Sequence, residues 1–214
     1  WYRHLAMNLS LSSIDESKIS INALKVVKRL KEHGYQAYLV GGCIRDLLLG
    51  KAPKDFDIAT DAHPEEVRDL FRNSRVVGRR FKIVHVRFGR EIVEVTTFRG
   101  PHDEQYDENH SESGMTLNDN IYGTYEEDVF RRDFAMNAVY YDPESHELMD
   151  LANGASDIQS KSIRTIGDPE SRFREDPVRM LRAVRFRAKL NFDIETSVSE
   201  AIERSEEHTS ELQS

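Results

Sequence analysis

Two acidic residues, Asp55 and Asp57, stand one residue apart within residues 54–60, a segment that alternates charged and apolar side chains. This alternation predicts a β-strand whose alternate residues project from one face. Two carboxylates on one face repel each other, and a divalent cation relieves that repulsion. Mg2+, a hard ion that binds carboxylate and phosphate oxygens, suits such a pair. The pattern alone is also typical of a solvent-exposed strand edge, so both interpretations stay open at this point.

A glycine pair lies upstream of these acids. The stretch LVGGCIRD at 39–46 predicts a strand, a break at Gly41 and Gly42, and the start of a helix. Glycine lets a phosphate approach the backbone, a helix N-terminus offers free N–H groups, and Arg45 adds a forked donor. An ordinary strand-to-helix turn with an exposed Arg45 is the alternative. A phosphate cradle followed by two acids is what nucleotidyl transfer with two metal ions requires.

A third acidic residue has two candidates. Glu94 lies on the second strand of a predicted hairpin, where it would face Asp55 and Asp57 across the sheet. Asp133 lies in RRDFAMN at 131–137, where a helix is predicted to give way to a strand. Asp133 is alternatively a local salt-bridge partner at a helix end whose cations complement the helix dipole.

The remaining elements follow from hydrophobic spacing and turn residues. Helices are predicted from Ser20 to Gly34, at 44–49, from Pro64 to Phe71, from the capping box of Thr124 and Glu127 to about Arg132, after Gly154, and from Pro177. Strands are predicted at 37–40, 138–141 and 163–166, and a hairpin at 81–88 and 91–98 around Gly89 and Arg90. Residues 101–120 predict a mobile polar loop. Together these elements predict an α+β fold, a small mixed β-sheet with helices on one face, followed by the start of an all-helical domain.

Composition excludes several classes of protein. The 214 residues are 38% hydrophobic and 32% charged, which is enough apolar material for a core and too much for a disordered chain. No apolar run approaches the roughly 20 residues of a membrane span, so we expect no membrane partner and a cytoplasmic location. The only cysteine, Cys43, excludes an internal disulfide and is expected to be buried and inert. The net charge of −8 gives no bulk attraction to nucleic acid.

Five ordered motifs resemble one family. They are LVGGCIRD at 39–46, DFD at 55–57, EVTTFR at 94–99, RRDFAMN at 131–137 and EDPVRMLR at 175–182. Over residues 18–203 they look like the class II nucleotidyltransferases of the polymerase-β superfamily, which comprise bacterial tRNA CCA-adding enzymes and poly(A) polymerases. VVGRRFKIVHV at 76–86 and DNIYG at 119–123 resemble the poly(A) polymerase branch. His85 in the former stretch is interpreted as a hydrogen-bonded structural histidine.

The resemblance implies roles for matching residues. Asp55 and Asp57 would hold the catalytic metals, and Asp133 would be the further essential acid, in preference to Glu94. The nucleotide contacts that it implies, to triphosphate, ribose or base, fall on Gly41, Gly42, Arg45, Arg132, Asp133, Asn137, Asp176, Arg179 and Arg182. Asp176 and Arg179 would lie one helical turn apart on one face and address the base edge. A salt-bridged helix start is the alternative for residues 175–182.

The resemblance also implies a domain order and an activity. We expect a flexible segment at 1–17, a catalytic head domain at 18–168, the truncated start of a helical neck domain at 169–203, and a non-native tail at 204–214 that reads like a translated sequencing adapter. The expected activity is template-independent addition of AMP from ATP to RNA 3′ ends with Mg2+ as cofactor. CCA addition to tRNA is the nearest alternative, and a head module that binds ATP and metal with little activity is another.

Overall fold

The computed structural model describes residues 14–78, 81–100 and 121–211. Within them lie eight α-helices: α1 Ile21–Glu32, α2 Gly42–Leu48, α3 Pro64–Leu70, α4 Tyr125–Arg131, α5 Gly154–Ser160, α6 Pro169–Glu175, α7 Val178–Leu190 and α8 Thr196–Glu211. The strands described are β1 Ala37–Val40, β2 Phe56–Thr60, β3 Ser74–Val77, β4 Ile83–Phe88, β5 Glu91–Thr97, β6 Tyr140–Asp142, β7 Glu147–Met149, β8 Ser162–Ile163 and β9 Asp193–Ile194. No helix among the described residues has the length and apolar character that a membrane crossing demands.

The main sheet has the strand order β3-β4-β5-β2-β1-β6-β7, and β8 pairs with β9 in a second, small sheet. In the main sheet β2 and β5 run parallel, whereas the other neighbours run antiparallel. The parallel pairing is possible because α3 and the β3–β4 hairpin cross from the end of β2 to the start of β5. In this register Asp57 of β2 lies directly opposite Glu94 of β5.

Both faces of the sheet are packed, because strand residues alternate between two clusters of buried apolar side chains. Leu39 and Ile58 belong to the larger cluster, together with buried residues of α1, α2 and α3. Val40 and Ala59 belong to the smaller one, which α4 covers with Tyr125 and Val129. The predicted α+β fold with a mixed sheet is confirmed, but the helices do not all lie on one face, because α4 covers the smaller cluster on the opposite face.

Several predicted local signals are present. Ser20 caps α1 by accepting hydrogen bonds from two backbone N–H groups, and Gly34 follows the helix at a φ of +86°. Thr124 and Glu127 form a complete capping box at the start of α4. Gly89 has a φ of +63° in the turn that joins β4 to β5. These residues therefore end or join elements in the way that their side chains favour.

The predicted strand at 54–60 is wrong at its start. β2 begins at Phe56, and residues 54 and 55 form a bend. The physical reason is loss of the neighbouring strand, since β1 ends at Val40 opposite Asp57 and Gly41 then turns the chain into α2. A strand needs a partner for its backbone groups, and residues 54 and 55 have none in β1.

Other elements were not predicted because they are short or bury few residues. Phe173 is the only buried residue of α6, and no strand was expected at β3, β7 or β9. The predicted strand at 138–141 begins later, at Tyr140, because Ala135–Asn137 form a turn of 3-10 helix. Residues 101–120, the predicted loop, lie outside the described residues.

Secondary structure or strand pairing spans each of the predicted domain limits. Within the segment expected to be flexible, 1–17, a 3-10 turn at Glu16–Lys18 is described, and Glu16 contacts Tyr141 and His146. The β8–β9 pairing joins residues on either side of the 168–169 boundary. Helix α8 continues from Thr196 to Glu211, across the expected start of the tail at 204. The origin of the tail stays a prediction.

Candidate active site

The sheet carries a row of polar residues on the face that bears the smaller apolar cluster. Asp57 of β2 lies opposite Glu94 of β5, and Glu94 lies opposite His85 of β4. The Nε2 atom of His85 is 3.4 Å from Oε1 of Glu94. The neighbours of Asp57 and Glu94 in the chain, Phe56 and Val95 among them, point into the larger core on the other face. The alternation of the strands therefore brings the two acids side by side.

Gly41 lies beside Asp57, and because it has no side chain it leaves a small space there, which we call the gap. Its φ of +81° and ψ of −134° lie in a region that only glycine adopts freely. A Cβ atom added at Gly41 would lie 3.6 Å from Oδ2 of Asp57, 3.9 Å from the carbonyl oxygen of Asn137 and 4.0 Å from Nη1 of Arg132. One carboxylate, one backbone carbonyl and one guanidinium thus converge where the backbone of β1 turns into α2.

The carboxylate of Asp57 lies in an unfavourable electrostatic environment. The pKa of Asp57 is raised to about 6, chiefly by burial and then by the negative charges of Glu94 and Asp55, while the positive charge of Arg132 lowers it. Asp55 itself is exposed in the bend that precedes β2. The expectation that one strand carries both acids is therefore wrong, although Asp55 lies close enough to affect the pKa of Asp57.

Arg132 and Asn137 line the gap from the loop that follows α4. Nη2 of Arg132 donates a hydrogen bond of 3.0 Å to Asp128, and Nε donates one of 2.8 Å to the Tyr140 hydroxyl. Nη1 of the same side chain is 3.4 Å from the carbonyl oxygen of Asn137. Asn137 is 9% exposed and accepts a hydrogen bond of 2.7 Å from Arg45. The turn at 135–137 is thereby tied to α2.

Arg45 does not lie open to solvent as a free phosphate donor. Its side chain is 5% exposed, and it donates to Asp46 at 2.9 Å and to Asn137 at 2.7 Å. Gly42 lies against this side chain, since a Cβ atom there would lie 3.4 Å from Nη2 of Arg45, which is an ordinary contact distance. The observed contacts favour a role in holding Asn137 and α2 together, and the expected open fork is not what the structure shows.

Asp133 is paired with the helical segment beyond the sheet. Its Oδ1 atom accepts a hydrogen bond of 2.8 Å from the N–H of Phe134, and its Oδ2 atom is 2.8 Å from Nη2 of Arg182 in α7. The ring of Phe186, one turn further along α7, lies 5.8 Å from the guanidinium of Arg45 and 5.9 Å from that of Arg182. Helix α7 thus packs directly against the candidate site.

Asp176 and Arg179 do not share a helix. Asp176 lies in the break between α6 and α7, where its side chain accepts a hydrogen bond of 3.1 Å from the N–H of Val178. Arg179 lies in the first turn of α7 and donates to the side chain of Glu175 and the carbonyl oxygen of Arg172, both at 2.7 Å. The N–H of Arg179 donates to the carbonyl oxygen of Asp176 at 3.1 Å, so the two are one turn apart, but the backbone of Asp176 is extended because Pro177 follows it, and the expected common helix face is not observed.

The acids fit a hard divalent cation only in part. Asp57 and Glu94 offer adjacent carboxylates whose mutual repulsion a cation would relieve. Among the described residues no group of three or more histidine, cysteine or acidic side chains is arranged to hold a metal ion. Mg2+ commonly takes one or two protein carboxylates and completes its shell with substrate phosphates and water, which matches such an incomplete donor set.

Sequence reasoning missed three groups around the site. Asp128 is 1% exposed and contacts both Arg131 and Arg132. Its spacing of four from Arg132 on a predicted helix was an available signal. Tyr140 sat in an apolar strand without any signal for its hydroxyl contact. Arg172 donates to the carbonyl oxygens of Arg131 and Arg132, a contact that only the fold reveals.

Cys43 is buried, as expected, and burial raises the pKa of its thiol to about 12.

The fold matches solved structures of tRNA nucleotidyltransferases. One is the CCA-adding enzyme of Bacillus stearothermophilus in complex with CTP, which is 41% identical at a TM-score of 0.70, over 84% of this chain and 42% of that one. Another is a tRNA nucleotidyltransferase complexed with a primer tRNA and an incoming ATP analog, which is 31% identical at a TM-score of 0.66, over 86% of this chain and 50% of that one. The predicted architecture is thus that of nucleotidyltransferase head domains.

The sequence comparison is more specific. The family described as the poly A polymerase head domain matches residues 37–164, so the chain belongs to that family. Poly(A) polymerase I of Salmonella typhimurium is 55% identical over 196 residues, which are 90% of this chain and 42% of that protein. The chain therefore spans less than half the length of this relative. The resemblance drawn from the five motifs is confirmed.

Proposed function

We propose that this chain carries the catalytic centre of a template-independent polynucleotide adenylyltransferase, which adds AMP from ATP to RNA 3′ ends. The observation that carries the proposal is the gap at Gly41, where a carboxylate of Asp57 and the guanidinium of Arg132 both lie within 4.0 Å of one point. A reacting triphosphate needs an accessible backbone, fixed positive charge and metal-binding carboxylates in one place. The identity to a poly(A) polymerase supports ATP as the nucleotide and RNA as the acceptor.

In the proposed reaction the RNA 3′ oxygen bonds to the α-phosphorus of ATP while the bond from that phosphorus to pyrophosphate breaks. Asp55 and Asp57 would hold Mg2+, with Glu94 or Asp133 as the third acid. Bound Mg2+ would supply positive charge that activates the hydroxyl and stabilises the leaving pyrophosphate. The protein side chains would mainly position the reactants and exclude alternative geometries. The adenylated product would belong to RNA 3′-end processing and decay, which is part of the proposal.

The nucleotide would lie between the sheet and α7. In this proposal the triphosphate contacts the backbone at Gly41 and Gly42, and the ribose contacts Arg132 and Asp133. The base edge would be addressed by Asp176, Arg179 and Arg182. Arg182 now pairs with Asp133, and Arg179 with Glu175. Nucleotide binding would therefore exchange these ion pairs for contacts with the base and sugar.

Substitution of Asp57 tests the proposal. Asp57→Ala should reduce AMP incorporation into an RNA primer by at least 100-fold, since an acidic ligand of the reacting centre is lost. Asp69→Ala is the matched control, because Asp69 is an acid whose side chain is 72% exposed in α3, away from the gap. Near-normal incorporation by Asp57→Ala would refute the proposed function.

The alternatives are separated by the choice of substrate. The 41% identity to a CCA-adding enzyme solved with CTP favours CCA addition as the second candidate. A poly(A) polymerase should use ATP on many RNAs and ignore CTP, whereas a CCA-adding enzyme should incorporate both on a tRNA that lacks its CCA end. A head module that binds ATP and metal would show ATP affinity without AMP transfer. The three outcomes are distinct on one preparation of the chain.

A further inference from the structure

A buried anchor holds one edge of the Arg132 guanidinium. Nε of Arg132 is 2.8 Å from the Tyr140 hydroxyl and 3.2 Å from Oδ2 of Asp128, and Nη2 is 3.0 Å from the same Oδ2 atom. The Tyr140 hydroxyl in turn donates a hydrogen bond to Asp128 Oδ2. Asp128 is 1% exposed and Tyr140 fully buried, so water does not compete for these contacts. The three side chains form a closed triangle of charge-assisted hydrogen bonds.

The two carboxylate oxygens of Asp128 have separate partners. Oδ1 accepts hydrogen bonds from Nε of Arg131 at 3.0 Å and from the backbone N–H of Arg99 at 3.1 Å. Oδ2 is used by Arg132 and Tyr140. Burial alone would raise the pKa of Asp128, but the charges of Arg132 and Arg131 hold it below its ordinary value. Asp128 is therefore a fixed anion with one oxygen directed at Arg132.

The opposite edge of Arg132 faces the candidate site. Nη1 is the atom that would lie 4.0 Å from a Cβ at Gly41, in the gap shared with Asp57. It also lies 3.4 Å from the carbonyl oxygen of Asn137, a long contact that leaves donor capacity for a ligand. Because a guanidinium is planar, fixing its Nε–Nη2 edge also fixes the direction of Nη1.

We propose that Asp128 and Tyr140 are positioning residues that aim the guanidinium of Arg132 at the incoming nucleotide. The inference rests on the proposed function and extends it to two residues outside the gap. Asp128 supplies the charge, and the Tyr140 hydroxyl supplies the second contact at Nε, which prevents rotation of the guanidinium. Tyr140 also packs its ring against Tyr125, with ring centroids 4.9 Å apart, so its ring serves the core and its hydroxyl serves Arg132.

Tyr140→Phe separates these two contributions. It keeps the ring and removes the hydroxyl, and it should weaken binding of ATP with Mg2+ about tenfold, the order expected for one hydrogen bond to a charged group. Tyr141→Phe is the matched control. Tyr141 is the next residue of β6, packs in the larger cluster on the opposite face and directs its hydroxyl to Glu16. Its ATP affinity should equal that of the wild-type chain.

A double-mutant cycle distinguishes positioning from general loosening. In an Arg132→Lys background, which removes the planar fork, Tyr140→Phe should weaken ATP binding less than twofold further, because its effect passes through the guanidinium. Equal effects of Tyr140→Phe in both backgrounds would overturn the inference, as would unchanged ATP affinity of Tyr140→Phe alone. Asp128→Asn should also weaken ATP binding, and thermal unfolding of each variant reports whether it folds. A wild-type chain that does not bind ATP would refute the proposed function instead, and the inference with it.

Discussion

Replacing Asp57 by asparagine should stabilise the protein in the absence of metal while it abolishes activity. The pKa of Asp57 is raised from 3.8 to about 6, mainly by burial and then by Glu94. A carboxyl whose pKa is higher in the folded state than in the unfolded state costs stability once it is ionised. A difference of about two between the pKa values corresponds to at most about 3 kcal/mol, and because Asp57 is only partly buried we expect about 1 to 3 kcal/mol.

The raised pKa of Asp57 also predicts how stability changes with pH. As pH rises from about 4 to about 6, the unfolded chain has lost the Asp57 proton while the folded chain still holds it. The contribution of Asp57 to the free energy of unfolding should therefore fall across this window and then level off. Asp57→Asn lacks this contribution, so the two proteins should be similar near pH 4 and should differ most above pH 6.

Thermal unfolding in a chelator measures the effect. At pH 8 the melting temperature of Asp57→Asn should exceed that of the wild-type chain by roughly 3 to 10 °C, given the usual size dependence. Asp69→Asn, an exposed acid with a side chain 72% accessible, should leave the melting temperature unchanged. Mg2+ should stabilise the wild-type chain more than Asp57→Asn. If Asp57→Asn melts at or below the wild-type temperature at pH 8, the carboxylate is not electrostatically crowded and the argument for a cation there is wrong.

Four further substitutions test how the backbone supports the site and the fold. Gly41→Ala should lose ATP binding and about 1 to 3 kcal/mol of stability, because Gly41 has a φ of +81°. Gly34→Ala is the control: Gly34 has a φ of +86° with open space around it, so this variant should lose stability but keep ATP binding. Calorimetric titration with ATP checks both variants. Gly154→Ala should destabilise by more than 3 kcal/mol in urea unfolding, since its Cβ would lie 1.9 Å from the carbonyl oxygen of Ala135. Thr124→Ala should cost about 1 kcal/mol in the same assay through loss of the α4 cap, and no cost would contradict the capping box.

Sequence predicted the fold well where local chemistry decides the structure. Helix α1 has both an apolar period and a capping serine, and the β4–β5 hairpin has alternating residues around Gly89, so each was recognisable in isolation. Helix α6 buries only Phe173, so its amphipathic period is absent and its existence depends on packing against α8. The start of β2 depends on where β1 ends, which is a tertiary fact.

The candidate site divides in the same way. Asp57 and Glu94 were singled out by residue type and spacing, and Arg132 by the family resemblance. The structure places Glu94 opposite Asp57 and Arg132 beside Gly41, while their roles stay predictions. The burial of Arg45 was not predicted because its partner Asn137 lies 92 residues further along the chain. No spacing rule connects residues that far apart, so the burial of Arg45 against Asn137 is visible only in the fold.

Charge alternation across the site is the reason why we expect a cation to bind at one end of it. Asp128 holds Arg132, and the positive charge of Arg132 lowers the pKa of Asp57 against the effect of burial. The next group in the row is Glu94, another acid, so the alternation fails there and two carboxylates become neighbours. His85 contacts Glu94 from the far side at 3.4 Å, but it is neutral unless protonated. The row thus ends in excess negative charge beside the glycine gap, and positive charge brought with the nucleotide is what would balance it.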